Sequence, residues 1–202
     1  LSRCVLAMGA DLKNAVAVGY GERVVLSPHF GDLETPEALD SLEAVTRTLP
    51  RFLRKNPEAV AVDLHPDMRS ARLGRRLAKD YGVPLVEVQH HHAHAAAVFA
   101  EHGVDAGLAL VFDGTGLGTD GKIWGAELLT VKPGGYARLA TFAPVALPGG
   151  DAAVRQPARQ AVARLADAGI VPDGVLLERM GIDGEAAGVW MRQCAQGVNA
   201  PL

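Results

Sequence analysis

An α/β fold with a mixed, largely parallel central sheet is what this sequence predicts, and three observations carry that expectation. The apolar runs at 59–62 and 108–112 are continuous rather than alternating, and that at 85–88 is broken only by Glu87, as strands buried on both faces read. Stretches of helical spacing follow the first two, at 68–79 and 93–100, which is the alternation of a sheet covered by helices. Ionisable residues then gather where the apolar runs stop, the pattern of a site built from several loops on one sheet edge.

Taken in order, residues 5–8 read as a first strand, followed by the turn Gly9-Ala-Asp11-Leu-Lys13. The β-branched runs at 15–18 and 24–26 flank Gly19-Tyr-Gly21 as a hairpin. Thr35 is the expected N-cap of a helix with Pro36 at its first position, and Leu39, Leu42, Val45, Leu49 and Phe52 recur on one face. Pro50 should bend or end that helix. The helix over 68–79 carries a basic outer face, and the strand at 108–112 is expected to extend the parallel sheet. Residues 124–131 and 137–142 form a strand pair around Pro133-Gly-Gly135. After the break at Pro148-Gly-Gly150, residues 155–168, 175–180 and 189–198 read as helices. No internal repeat, low-complexity tract or domain-separating linker interrupts the 202 residues.

Composition excludes several classes. With 49% apolar and 21% charged residues, the chain can build an ordinary globular core. A net charge of −3 gives no electrostatic reason to expect nucleic acid or an anionic membrane as partner. No apolar run approaches the roughly 20 residues of a membrane span, and the first residues do not form a secretory signal. Cys4 and Cys194 lie far apart without C-x-x-C spacing, so they read as free thiols of a reducing cytoplasm. A start at Leu1 and a stop at Leu202 directly after a helical stretch read as a piece of something longer.

The densest chemistry is four histidines in five positions, His90, His91, His92 and His94. Imidazole is the commonest metal ligand, and if a helix starts at or just before His90, His90 and His94 sit one turn apart on one face. Asp113 offers a hard oxygen expected at the same sheet edge, and a His₂Asp set with open positions suits zinc or iron(II); the alternative is solvated histidines that cap a helix start. No Glu follows the first histidine, so this is not a metallopeptidase helix. His91 and His92 either face solvent or bind substrate. Asp113-Gly-Thr-Gly-Leu-Gly-Thr-Asp120-Gly121 follows a strand and precedes another, so it is no dinucleotide fingerprint. It reads either as a glycine-rich turn whose backbone amides approach a phosphate or planar ligand, with Gly114, Thr115, Gly116 and Asp120 as the candidate binding residues, or as a long glycine-rich hairpin without a chemical role. Lys13 either contacts phosphate as a point charge or is solvated beside Asp11. His65 either lines the site or caps the next helix, and both it and Lys13 are carried as candidate catalytic residues. Arg155 and Arg159 either bind phosphate or solvate a helix; His29 and His102 read as surface residues.

These motifs resemble the HypF carbamoyltransferase family of nickel–iron hydrogenase maturation. The resemblance rests on Val88-Gln-His-His-His-Ala-His94, Phe112-Asp-Gly-Thr-Gly-Leu-Gly-Thr-Asp-Gly121 and Ile123-Trp-Gly-Ala-Glu127. Gly9-Ala-Asp-Leu-Lys-Asn14, Ser27-Pro-His-Phe-Gly-Asp-Leu33, Asp63-Leu-His-Pro-Asp67 and Leu147-Pro-Gly-Gly-Asp151 fall in the same order, with Pro28 where the family pattern has glutamine. The resemblance implies an actin/sugar-kinase/Hsp70-like (ASKHA) fold, with residues 1–202 forming the N-terminal lobe and the start of the second lobe of a two-lobed domain. It implies ATP and carbamoyl phosphate as substrates, a carbamoyl adenylate intermediate, and transfer of the carbamoyl group to the C-terminal cysteine of the partner HypE. His90 and His94 match the family's metal pair, with Asp113 as third ligand. The alternatives are an O-carbamoyltransferase or tRNA threonylcarbamoyl transferase of the same branch, or a non-catalytic module that docks HypE.

Overall fold

The computed structural model describes residues 1–201; Leu202, the last residue of the domain expected over 1–202, lies outside them. The described residues divide into two compact units, one formed by Leu1–His102 with Gly116–Thr119 and the other by Gly103–Thr115 with Asp120 onward.

The first unit holds a five-stranded sheet of β1 (Val5–Ala7), β2 (Ala17–Tyr20), β3 (Arg23–Leu26), β4 (Ala59–Asp63) and β5 (Leu85–Val88), ordered β3-β2-β1-β4-β5. β1, β4 and β5 run parallel, whereas β1, β2 and β3 pair antiparallel. The hairpin lies two residues later than its first run suggests, because Gly21 supplies the left-handed turn at φ 54°. Leu6, Met8, Val18, Val60 and Val62 form the core with Leu33, Leu42 and Leu77.

Helix α1 (Pro36–Phe52) is capped by the Thr35 hydroxyl, which accepts from the Ala38 amide at 3.2 Å. Pro50 does not end the helix, which runs on to Phe52; it sits buried in the last turn. Phe52, expected on the core face, is 84% exposed, and Leu53 packs on the core in its place. α2 (Arg69–Tyr81) presses its small-residue face onto the sheet, where a Cβ at Gly74 would stand 2.3 Å from Val62 Cγ1. Its basic face is paired, Arg72 with Asp67, Arg75 with Glu87 and Arg76 with Glu43.

The residue before α2, Met68, has no side chain to cap it. Asp11 performs this task from the loop after β1: Oδ2 accepts from Arg69 N, and Oδ1 from Ser70 N and Ser70 Oγ, each at 2.9 Å. A carboxylate at a helix start also complements the helix dipole. Asp11→Ala is expected to cost about 1–2 kcal/mol, as loss of an N-cap does. A thermal melt checks this, and an unchanged midpoint would show that α2 does not depend on the contact.

The second unit contains a three-stranded sheet, β6 (Gly107–Leu117), β7 (Ile123–Lys132) and β8 (Gly135–Thr141), followed by α4 (Asp151–Arg155), α5 (Pro157–Asp167), α6 (Gly174–Arg179) and α7 (Gly184–Gln196). The helix expected over 155–168 is thus broken at Gln156, before Pro157. Val162, Ile182 and Ala187 form a small core with Trp190, over whose ring Arg159 lies at 4.7 Å.

Two expectations are corrected here. The strand at 108–112 does not extend the parallel sheet, since β6 belongs to the β6-β7-β8 sheet. Nor is Asp113–Leu117 a turn: Gly114, Thr115 and Gly116 continue β6. Strand pairing outweighed the glycine count, which in isolation reads as a break. Among the described residues no helix is long and apolar enough to cross a membrane, and both cysteines are free, Cys4 buried and Cys194 partly so.

Candidate active site

In the first unit, the carboxyl ends of three parallel strands deliver the loop Gly9–Asn14, the segment Asp63–Asp67 and the start of α3 (His90–Glu101) to one sheet edge. The helix starts at His90, three residues before the expected 93, because the Gln89 side chain caps it by accepting from the His92 amide at 2.9 Å. That start places His90 and His94 one turn apart, with their Nε2 atoms at 3.2 Å. Imidazole nitrogens on one tetrahedral ion with metal–nitrogen bonds of about 2.0–2.1 Å stand at about this distance. Two facing ring nitrogens this close must share either a proton or a cation, so the pair fits a divalent metal.

His90 is the better fixed of the two. Its Nδ1 lies 2.7 Å from Oδ2 of Asp63, and Oδ1 of Asp63 accepts from the His65 amide at 2.8 Å. Burial alone would raise the Asp63 carboxyl, but these hydrogen bonds outweigh it and hold the group below the usual carboxylate range. His94 is exposed at the helix surface, and burial lowers the partly buried His92 below the ordinary histidine value.

His91 does not face solvent. It is fully buried, its Nδ1 is 3.1 Å from Gln89 Nε2, and Gln89 Nε2 donates in turn to Leu117 O at 3.2 Å. Gly116 passes so close to these rings that a Cβ there would stand 2.7 Å from His91 Cε1 and 2.9 Å from His90 Cβ. The glycine thus has a packing role at the histidines.

Lys13 is exposed at φ 47°, with its amide donating to Asp32 Oδ1 at 2.8 Å. The left-handed turn is tied on both sides, since the Asn14 side chain bonds Met8 O at 2.9 Å and its backbone bridges to Gly31. Asp11, expected beside Lys13, is consumed by α2. His65 is half-buried, and its Nδ1 accepts from the Asp67 amide at 3.2 Å. A neutral His65 therefore carries its proton on Nε2.

In the second unit, Asp113 lies within β6 with Oδ1 accepting from the Gly114 amide at 2.7 Å. Gly114 and Asp120 line a cavity of about 700 Å³ together with Trp124, Arg138 and Arg164, a volume in the range of small-molecule sites. Asp120 is held by the Trp124 indole N–H at 2.9 Å and the Lys122 amide at 3.1 Å. Burial would raise its carboxyl, but those bonds and the nearby Arg138 keep it low. Arg138 lies 4.1 Å over the Trp124 ring and binds the buried Glu127 through Nε at 2.6 Å and through its terminal nitrogen at 3.0 Å. Glu127 also accepts from Thr141 Oγ1 at 3.0 Å and the Gly125 amide at 3.2 Å. Again burial would raise it, and the Arg138 hydrogen bonds win. Sequence reading noticed Glu127 and Gln89 only as parts of motifs and missed Arg138. The available signal for Glu127 was its place in phase with Leu129 and Val131, at every second position of a strand.

Residues 1–101 match the HypF Kae1-like domain, and residues 109–202 match the Kae1-like domain, second subdomain, of carbamoyltransferases. The chain belongs to the HypF family. It is 44% identical over 199 residues to the carbamoyltransferase HypF2 of Cupriavidus necator, covering 98% of this chain and 24% of that protein. To the carbamoyltransferase HypF of Rhizobium leguminosarum it is 43% identical over 166 residues, covering 82% of this chain and 21% of the relative. The crystal structure of HypF from T. kodakarensis is similar with a TM-score of 0.82 and 31% identity, over 98% of this chain and 28% of that one. A full-length HypF crystallised in a phosphate- and nucleotide-bound form gives 0.81 and 29%, over 100% and 26%. The chain thus spans about a quarter of the length of these relatives, and its fold is of the actin/sugar-kinase/Hsp70 type.

Proposed function

We propose that this chain is part of a cytoplasmic carbamoyltransferase of nickel–iron hydrogenase maturation. The protein transfers a carbamoyl group from carbamoyl adenylate, made from carbamoyl phosphate and ATP, to the C-terminal cysteine of HypE. The observation that carries the reading is the imidazole pair, Nε2 to Nε2 at 3.2 Å, at the carboxyl edge of the parallel strands. Membership of the HypF family and a relative crystallised with phosphate and nucleotide support the choice of substrates.

In this reading His90 and His94 hold a divalent zinc or iron ion, with Asp113 as third ligand. Bound there, such an ion would supply Lewis-acid polarisation of a carbonyl or phosphate oxygen. Lys13, exposed on its tied loop, meets a phosphate as a point charge. His65, with its proton on Nε2, donates a hydrogen bond to the substrate rather than removing a proton. Gly114, Thr115, Gly116 and Asp120 form the nucleotide side, where Gly114 and Asp120 line the second-unit cavity. The attacking thiol belongs to HypE: its sulfur bonds to the carbamoyl carbon, the bond from that carbon to the phosphate oxygen breaks, AMP leaves, and the thiol proton passes to the departing phosphate or to solvent. Neither Cys4 nor Cys194 is needed for this. Replacing His90 and His94 together by alanine in the full-length protein is expected to remove the metal and lower carbamoyl transfer to HypE at least about a hundredfold, as loss of an electrostatic catalyst does. Metal analysis and a transfer assay check this, and unchanged values would sink the reading.

A further inference from the structure

We propose that Asp63 is a positioning residue for His90: it holds the ring as the Nδ1–H tautomer and directs the Nε2 lone pair at the place shared with His94. This rests on the reading of His90 and His94 as metal ligands. Asp63 closes β4 directly beside Val88 of β5, and only 9% of it is exposed. Its two oxygens have two different obligations. Oδ1 takes the His65 amide at 2.8 Å, and an amide N–H can only donate. Oδ2 takes His90 Nδ1 at 2.7 Å, a charge-assisted distance. The short step Asp63-Leu-His65 closes a turn that fixes the carboxylate's rotation, and Leu64 N bonds to Val88 O at 2.9 Å. With Nδ1 committed to Asp63, the remaining ring nitrogen faces His94 Nε2. A carboxylate behind an imidazole in this way orients the ring and raises its basicity as a ligand.

The chemistry demands an acceptor at both positions. Asparagine has nearly the same shape but offers one oxygen and one NH₂. If its oxygen keeps the His65 amide, its NH₂ meets Nδ1 and drives the ring proton to Nε2, the ligand position. If it turns the other way, two donors face each other at His65. Asp63→Asn in the full chain is therefore expected to weaken zinc(II) binding 10- to 100-fold in competition with a chromophoric chelator. X-ray absorption of the zinc-loaded variant should count one imidazole where the wild type has two. Asp63→Glu, still an acceptor at both oxygens, is expected to keep more affinity than Asp63→Asn; a packing role would rank the two the opposite way, because Asn is the closer in size. Wild-type zinc affinity in Asp63→Asn, with His90→Ala losing zinc, overturns this proposal alone. Wild-type zinc affinity in His90→Ala overturns the ligand reading, and this proposal with it.

Discussion

Replacing Gly116 with alanine is expected to destabilise the chain by about 1–3 kcal/mol, the usual cost of overpacking a filled site, and to weaken metal binding roughly tenfold or more. The new methyl would stand within 3 Å of three atoms: His91 Cε1, His91 Nδ1 and His90 Cβ. None of them can give way cheaply. His91 is fully buried and its ring faces Gln89, which also caps the helix and bonds Leu117 O. His90 Cβ is fixed by its own backbone, so moving it means moving the first turn of α3. The displacement therefore passes directly to His90 and, through the helix, to the spacing against His94. Gly135→Ala is the matched control, since a Cβ there meets nothing within 4 Å. Zinc titration and a thermal melt of both variants check the expectation. A Gly116→Ala protein indistinguishable from Gly135→Ala would refute it.

Arg138→Ala is expected to destabilise the second unit by about 3–5 kcal/mol, because it leaves a buried carboxylate without its cation. Glu127 is 2% exposed and receives two of its four hydrogen bonds from Arg138. The same guanidinium covers the Trp124 ring and lies 3.4 Å from Asp120. Gly125, whose amide also binds Glu127, packs with its missing side chain 3.6 Å from Asp113 O. One truncation thus loosens β7, β8 and the backbone at Asp113 together. Converting Glu127 to glutamine in the same background should recover part of the loss, since it removes the stranded charge. Chemical denaturation of the single and double variants measures this. Equal stability of Arg138→Ala and the wild type would show that the pair contributes nothing.

Most elements of the fold were legible in the sequence because their causes are local. A continuous apolar run marked β4, a short run broken only by Glu87 marked β5, Thr35-Pro36 marked the start of α1, and Pro133-Gly-Gly135 marked the turn between β7 and β8. What local pattern misjudged was partnership. β6 has the composition of a buried parallel strand yet joins a different sheet, and its glycines continue the strand rather than breaking it. Asp11 has the composition of a site residue yet caps a helix that starts 58 residues later. Both depend on which segment the chain meets after folding, and no spacing rule contains that.

The histidine cluster shows the same division within one motif. The sequence by itself determined that His90 and His94 share a helix face, because the spacing of four and the helical turn are properties of the chain alone. It likewise determined the HypF motifs and their order. Only the tertiary structure decided that His91 is a buried strut, that Gly116 is there to let it fit, and that Asp63 stands behind His90. The reason is physical: ligand spacing is set by covalent geometry along the helix. Ring tautomer and close approach are set by groups 27 and 26 residues away, Asp63 from His90 and Gly116 from His90, which meet only when β4, β5 and the end of β6 come together.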